Sequence, residues 1–322
     1  MINLDRRQLF KLGASAGLAA AAFPAFAKAP LSGAQGAAVY RYKIGDYELT
    51  ALNDGIAKFP LEEGFVVNAK LADVQNALKE AFLPPETMQI PFTALVVNTG
   101  AKLILIDTGT AGLVAPTAGV LLANMAAAGI DPKAIDTVLI SHMHPDHING
   151  IRSKDGAVNF PNAEIKVNDV EWAFWMDDAK MSSAPEGMKP LFAATRRAFT
   201  PIAKDVKLYK WDQELEAGIT AVAAPGHTPG HTALAIQSGK DKMLYLADTT
   251  NNPALFLRNP DWSVVFDMDA ELARATRHKL LDMAAAERMQ VAGYHFPFPA
   301  TGYVVKDGAR YQLVPAAWQP VL

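Results

Sequence analysis

The stretch Ser141-His142-Met143-His144-Pro145-Asp146-His147 places three imidazoles and a carboxylate within six residues, directly after the apolar run Thr137-Val138-Leu139-Ile140. That run reads as a short buried strand. Side chains two apart on an extended chain face the same way, so His142 and His144 share one target. Asp146 and His147 turn away towards a second. A His-x-His-x-Asp-His string can therefore hold two metal ions side by side, provided the rest of the chain supplies the missing ligands.

Three later stretches offer them. Pro225-Gly226-His227-Thr228-Pro229-Gly230-His231-Thr232 follows the strand-like Ala221 to Ala224, and its turn residues fix the imidazole of His227 as a candidate metal ligand. His231 heads the next strand and is read as a group that orients a ligand from behind. Asp248, in Tyr245-Leu246-Ala247-Asp248-Thr249, would ordinarily be taken for a turn or helix cap. Next to two cations, a carboxylate that offers one oxygen to each is the group the site lacks. His295, in Gly293-Tyr294-His295-Phe296-Pro297-Phe298-Pro299, also ends a strand. His278, within Arg277-His278-Lys279 on a helical stretch, reads as simply exposed.

The 322 residues carry a net charge of −3 with both signs spread along the chain, which offers no basic face for nucleic acid and no polybasic membrane anchor. Residues 1–27 are of a different kind. Asp5-Arg6-Arg7-Gln8-Leu9-Phe10-Lys11 precedes a small apolar stretch ending in Ala25-Phe26-Ala27, the layout of a twin-arginine signal peptide with its cleavage site. The expectation is an exported, periplasmic or secreted protein with no stable membrane anchor after cleavage. The mature chain would then hold 27 basic against 32 acidic side chains. There is no cysteine, hence no disulfide and no thiolate ligand.

After a linker over 28–38, residues 39–322 read as one domain. Tyr40 to Leu52 suggests a hairpin about Gly45-Asp46, Asn53 to Asn68 looks irregular, and Ala69 to Phe82 has helical composition. Phe92 to Asn98 and Lys102 to Asp107 predict a second hairpin. Gly112 to Ala128, Asp169 to Asp178, Met188 to Ile202 and Asp269 to Arg288 predict helices. Strands are expected over Val206 to Tyr209, Gly218 to Ala224, Thr232 to Gln237, Lys242 to Leu246 and Gln290 to Tyr294. Two strand-rich halves, each closed by helices, predict two mixed sheets packed face to face with helices outside. The candidate residues all fall where strands end, as expected of a site built from loops at one edge.

Taken together, His142-x-His144-x-Asp146-His147, Gly226-His227-Thr228-Pro229-Gly230-His231, Asp248 and Gly293-Tyr294-His295 resemble the metallo-β-lactamase-fold hydrolases. The ending Tyr294-His295-Phe296-Pro297-Phe298-Pro299 and the export signal are most similar to the methyl parathion hydrolase and lactonase-like branch. The resemblance implies an α/β fold of the αββα sandwich type with a dinuclear centre. His142, His144 and His227 would hold one ion, Asp146, His147 and His295 the other, and Asp248 would bridge them. Asp107, in Ile106-Asp107-Thr108-Gly109, would support the ligands from behind. Imidazole and carboxylate donors suit Zn²⁺, and the same set accepts Mn²⁺, Co²⁺ or Fe²⁺.

Two such ions lower the pKa of a shared water, and the resulting hydroxide attacks a carbonyl or phosphoryl centre. Asp146 and Asp248 are the catalytic candidates, Asp146 for proton transfer. The expected substrates are small apolar esters, lactones or phosphotriesters, with Trp172, Trp175, Phe92, Phe296 and Phe298 as pocket candidates. Asp248 stands where β-lactamases of this fold often carry cysteine, and Asn251 stands where many acyl-homoserine lactonases carry tyrosine. A glyoxalase-II-like thioesterase is the rival enzyme, an acyl-homoserine lactonase the narrower one, and a metal-binding protein the non-enzyme reading. A homodimer is compatible with all of them.

Overall fold

In a computed structural model, residue 29 and residues 31–322 are described, so the signal-peptide reading of 1–27 lies outside the described residues. Residues 31–38 contain no helix or strand. Ala37–Leu322 form one compact unit. No helix among the described residues is long and apolar enough to cross a membrane.

The first sheet runs β1 (Val39–Ile44), β2 (Tyr47–Pro60), β3 (Thr87–Asn98), β4 (Leu103–Ile106), β5 (Thr137–Leu139), β6 (Glu164–Asn168) and β7 (Lys207–Tyr209), in that spatial order. Its first four strands pair antiparallel and its last three join in parallel. The second sheet contains β8 (Glu214–Glu216), β9 (Ile219–Ala223), β10 (Thr232–Ser238), β11 (Asp241–Ala247), β12 (Gln290–Gly293), β13 (Thr301–Asp307) and β14 (Arg310–Pro315), with only β11 and β12 parallel. The helices are α1 (Leu71–Glu80), α2 (Leu121–Ala127), α3 (Pro145–Ile148), α4 (Asp169–Trp175), α5 (Asp178–Ser183), α6 (Lys189–Phe199), α7 (Pro253–Phe256) and α8 (Ala270–Ala286).

Strand alternation sorts the core into layers. On β11, Met243 and Tyr245 belong to the cluster shared with the first sheet, while Leu244 and Leu246 join Leu280, Leu281 and Ala284 of α8. Both faces are covered, which is why β11 reads as a nearly unbroken apolar run. On the other side, α2 packs on β1 and β2, and α4 on β6 and β7. The result is the αββα sandwich.

Three expectations change. The stretch from Asn53 is not irregular: β2 continues to Pro60, with a bulge at Asn53/Gly55 that absorbs the break in pattern. Gly55 has φ 112°, and a Cβ there would lie 2.3 Å from the Thr117 carbonyl oxygen. The helix expected over 112–128 is confined to α2, because the Asp54 carboxylate accepts from Thr110 N and Leu121 N and draws the preceding segment into turns. The helix expected over 169–178 ends at Trp175, and Asp177 caps the separate α5 through Ala179 N and Lys180 N.

Candidate metal centre

The strands deliver their C-terminal loops to one edge of the sandwich. β5 ends just before Ser141, β9 just before the 224–231 turn, β11 at Ala247 and β12 at Gly293. His142, His144, His147, His227, Asp248 and His295 are all buried. Three groups of donor atoms lie within binding distance of one another: His142, His144 and His227; His142, His147 and Asp248; and Asp146, His147 and His295.

Asp248 is the hub. Its Oδ2 lies 2.8 Å from His295 Nε2, 3.4 Å from His227 Nε2 and 4.0 Å from His142 Nε2, and its Oδ1 is 3.3 Å from His147 Nε2. Asp146 Oδ2 is 3.4 Å from His147 Nε2 and 3.5 Å from His295 Nε2. Neighbours set which nitrogen of each ring faces inward. Nδ1 of His147 lies 2.9 Å from Asp107 Oδ2, that of His227 2.9 Å from Asp267 Oδ1, and that of His295 2.9 Å from the Pro91 carbonyl. Nδ1 of His142 lies 3.1 Å from Ser141 Oγ, which itself donates to Asp107 Oδ2. Each acceptor draws the ring proton to Nδ1 and leaves the lone pair of Nε2 pointing inward.

Lone pairs facing carboxylate oxygens repel unless a cation or a proton lies between them. Among the described residues, Nε2 of His142, Nε2 of His147 and Oδ1 of Asp248 are buried without a hydrogen-bond partner, a costly arrangement for polar atoms. This is the test of fit, and the donor set passes it: imidazole nitrogens and carboxylate oxygens at this spacing suit divalent cations.

The electrostatics agree. Burial would raise Asp248, but His295 and His147 outweigh it and hold the carboxyl well below its ordinary range. Burial likewise opposes charge on His147 and His295, yet the surrounding carboxylates, Asp248 foremost, raise both. His142 and His144 are driven well below the usual imidazole range by burial and by neighbouring histidines, so they stay neutral.

Behind the donors, Asp107 accepts from Ser141 N, Ser141 Oγ and Tyr245 OH in addition to holding His147. Its φ of 59° and the 45° of Ala247, next to Asp248, put two non-glycine residues in the left-handed region beside the site. His231 Nδ1 lies 3.0 Å from the Ala224 carbonyl, and its Nε2 accepts from the backbone N–H of Asp248. Burial pushes His231 down to about 3, which keeps it neutral. Its contact is therefore with the backbone of Asp248.

Sequence reasoning missed Asp267, which holds His227 and is itself paired with the buried Arg277 at 3.3 Å. It also missed Tyr294, whose hydroxyl donates to the Asp146 carbonyl at 2.6 Å while its ring lies 3.9 Å from that of His147. Arg277 sits beside His278, which is half exposed and bonded to Asp261. No local pattern marks Asp267 or Tyr294, since the ligand residues they touch lie 40 and 148 positions away.

A cavity of about 650 Å³ opens onto Asp146, Asp248, His144, His227 and His295. Its walls are mostly apolar: Phe59, Ile90, Phe92, Val114, Met188, Leu191, Val265, Phe266 and Met268, with Asn251 and Asp267 also present. Of the five aromatic candidates, only Phe92 lines it. Trp175 is fully buried and donates from Nε1 to Glu171, Trp172 packs on Phe199, Phe296 lies in the core beneath α8, and Phe298 faces outward. Those four are corrected from pocket to scaffold or surface. The cavity instead draws its apolar walls from segments around 57–59, 187–191 and 265–268.

The fold and this cluster define a class. Residues 91–289, more than half of the chain, match the Metallo-beta-lactamase superfamily, and the protein belongs to that superfamily. Among solved structures it is similar to AidC, a dizinc quorum-quenching lactonase, with 29% identity and a TM-score of 0.83 over 88% of this chain and 99% of that one. It is similar to the hydrolase AbOPH, with 29% identity and a TM-score of 0.82 over 89% of this chain and all of the other. An N-acyl homoserine lactonase from Bacillus sp. is 25% identical over 233 residues, 66% of this chain and 84% of that protein.

Proposed function

We propose that this protein is a dinuclear metal hydrolase of small, uncharged, largely apolar esters, with lactones foremost and aryl esters and phosphotriesters as alternative substrates. The observation that carries the reading is the set of inward lone pairs on His142, His147 and Asp248 at the floor of an apolar cavity. In this reading His142, His144 and His227 hold one divalent ion, Asp146, His147 and His295 the other, and Asp248 both. Zn²⁺ is the favoured metal, supported by the dizinc lactonase among the similar structures.

When bound, two such ions would supply Lewis acidity to the substrate and make a water acidic enough to act as nucleophile at neutral pH. The chain's residues do the rest. Asp107, Asp267 and the Pro91 carbonyl hold the imidazoles in one tautomer. The apolar walls seat the acyl or aryl group and exclude bulk water. Asp146, at the cavity wall, is the group assigned to take the proton released as the carbonyl is attacked and to return it to the departing alkoxide.

Among the described residues that line the cavity there is no lysine or arginine. That favours neutral substrates over the carboxylate-bearing β-lactams or glutathione thioesters. The same proposal includes export by the twin-arginine signal of residues 1–27 and activity of the remaining domain outside the cytoplasm; cell fractionation tests it. The activity is tested with the zinc-loaded protein on N-hexanoyl-homoserine lactone, an aryl acetate and a neutral phosphotriester. Turnover of at least one is expected, and inertness towards all three would remove the hydrolase reading.

A further inference from the structure

We propose that Glu171 is a positioning residue that ties the loop bearing His142 and His144 to the loop bearing His227, setting the spacing of these three imidazoles before any ion arrives. The inference rests on the metal-centre reading above. Glu171 lies in the first turn of α4 and is fully buried. Its Oε1 accepts from Met143 N and from Trp175 Nε1, each at 2.8 Å. Its Oε2 accepts from Thr228 Oγ1 and from Gly230 N, again each at 2.8 Å. Met143 separates His142 from His144, and Thr228 follows His227. One carboxylate thus gathers donors from both ligand-bearing loops.

All four donors are neutral, and among the described residues no ion pair is formed with Glu171. A buried carboxylate is costly unless its oxygens are saturated with donors, and here they are. The packing carries the same message independently. A Cβ on Gly230 would lie 2.2 Å from Glu171 N and 2.5 Å from its Cβ, so the 226–231 turn is moulded directly onto this residue. The Asn168 side chain caps α4 through Val170 N and fixes the turn from which Glu171 projects. Neither loop has a strand or helix of its own at Met143 or at 224–231, so this cross-link stands in for the missing regular structure.

An amide cannot replace it. In Glu171→Gln one end of the side chain must present N–H groups to donors. The least costly orientation keeps Oε1 on Met143 and Trp175 and lets the Thr228 hydroxyl turn to accept, which leaves Gly230 N unpaired and loosens the turn that carries His227.

The test is zinc titration of the whole metal-free protein against a chromophoric chelator. Glu171→Gln is compared with wild type and with Leu280→Ala, which loses stability in the core beneath α8 without touching either loop. Glu171→Gln should lose about 10–100-fold in affinity for one of two zinc ions, and Leu280→Ala should bind both as wild type does. Thr228→Val, which removes a single donor, should show a smaller loss at the same ion and covers the case in which Glu171→Gln fails to fold. Unchanged affinities in these variants, or losses no greater than in Leu280→Ala, overturn the role given to Glu171. Failure of wild type itself to take up zinc overturns the metal-centre reading instead.

Discussion

Replacing Asp107 by Asn isolates the contribution of one carboxylate that touches no substrate. Asn tolerates the left-handed backbone that Asp107 adopts at φ 59°, so the change leaves the chain path alone. Oδ2 of Asp107 has three partners that donate, His147 Nδ1, Ser141 Oγ and Tyr245 OH, and Oδ1 accepts from Ser141 N. A carboxamide satisfies only one side of that set. If its oxygen keeps the His147 side, the bond loses its charge, and its amide group meets the Ser141 N–H. If its amide faces His147, the ring proton moves to Nε2, and the lone pair that faces Asp248 and Asp146 is lost. Residues that orient a metal-bound imidazole contribute about 10–100-fold to affinity or activity, equivalent to about 1.4–2.7 kcal/mol. The assay is chelator competition for zinc alongside kcat/KM on a lactone, with both expected to fall by that factor. A change under about threefold in both would refute the orienting role and the tautomer argument with it.

Three further outcomes follow from the same geometry. His231 stays neutral in the fold down to about 3, against 6.5 when free, so its contribution to stability is complete above 6.5 and is lost as pH falls towards the folded value. Between about pH 7.5 and 5 the metal-free wild type should lose ~2 kcal/mol more than His231→Gln; equal losses in urea melts at the two pH values contradict the burial of a neutral ring. Phe92→Ala, which opens the cavity wall beside His295, should raise KM for apolar substrates several-fold, whereas Phe298→Ala, facing outward, should leave kcat and KM within about 1.5-fold. The reverse pattern would return Phe298 to the pocket. Asp248→Ala should abolish turnover and weaken binding of the second ion, and full retained activity would remove the bridging assignment.

The parts of the site legible in sequence are those where chemistry is packed into short motifs. His142 to His147, His227, Asp248 and His295 each follow an apolar run, and a strand end is a place sequence can mark. The structure gathers them at one edge. Glu171, Asp267 and Tyr294 were not legible, because each acts through partners that folding brings close from dozens of residues away, and Arg277 was not, because its acceptors are mostly backbone carbonyls that carry no sequence signal. Thr228 is 57 positions from Glu171, and Asp267 is 40 from His227. Glu171 in particular looks like an ordinary charged position on a short helix. The pocket was misjudged for a related reason: large aromatics such as Trp175 and Phe296 were the visible candidates, but they fill the core, and the cavity wall is assembled from Ala57 and Phe59 of β2, Ile90 and Phe92 of β3, Leu191 of α6 and the 265–268 segment, which only folding brings together. At the level of the fold, alternation and β-branched runs exposed most strands, while the bulge at Asn53/Gly55 hid the length of β2.

The most direct measurement of the central claim is the number and position of divalent ions in the intact protein, by elemental analysis of zinc-saturated material and anomalous diffraction at the zinc edge. Two ions per chain are expected, one ringed by His142, His144 and His227, the other by Asp146, His147 and His295, with Asp248 contacting both. A single ion, none, or an ion seated away from Asp248 would contradict it.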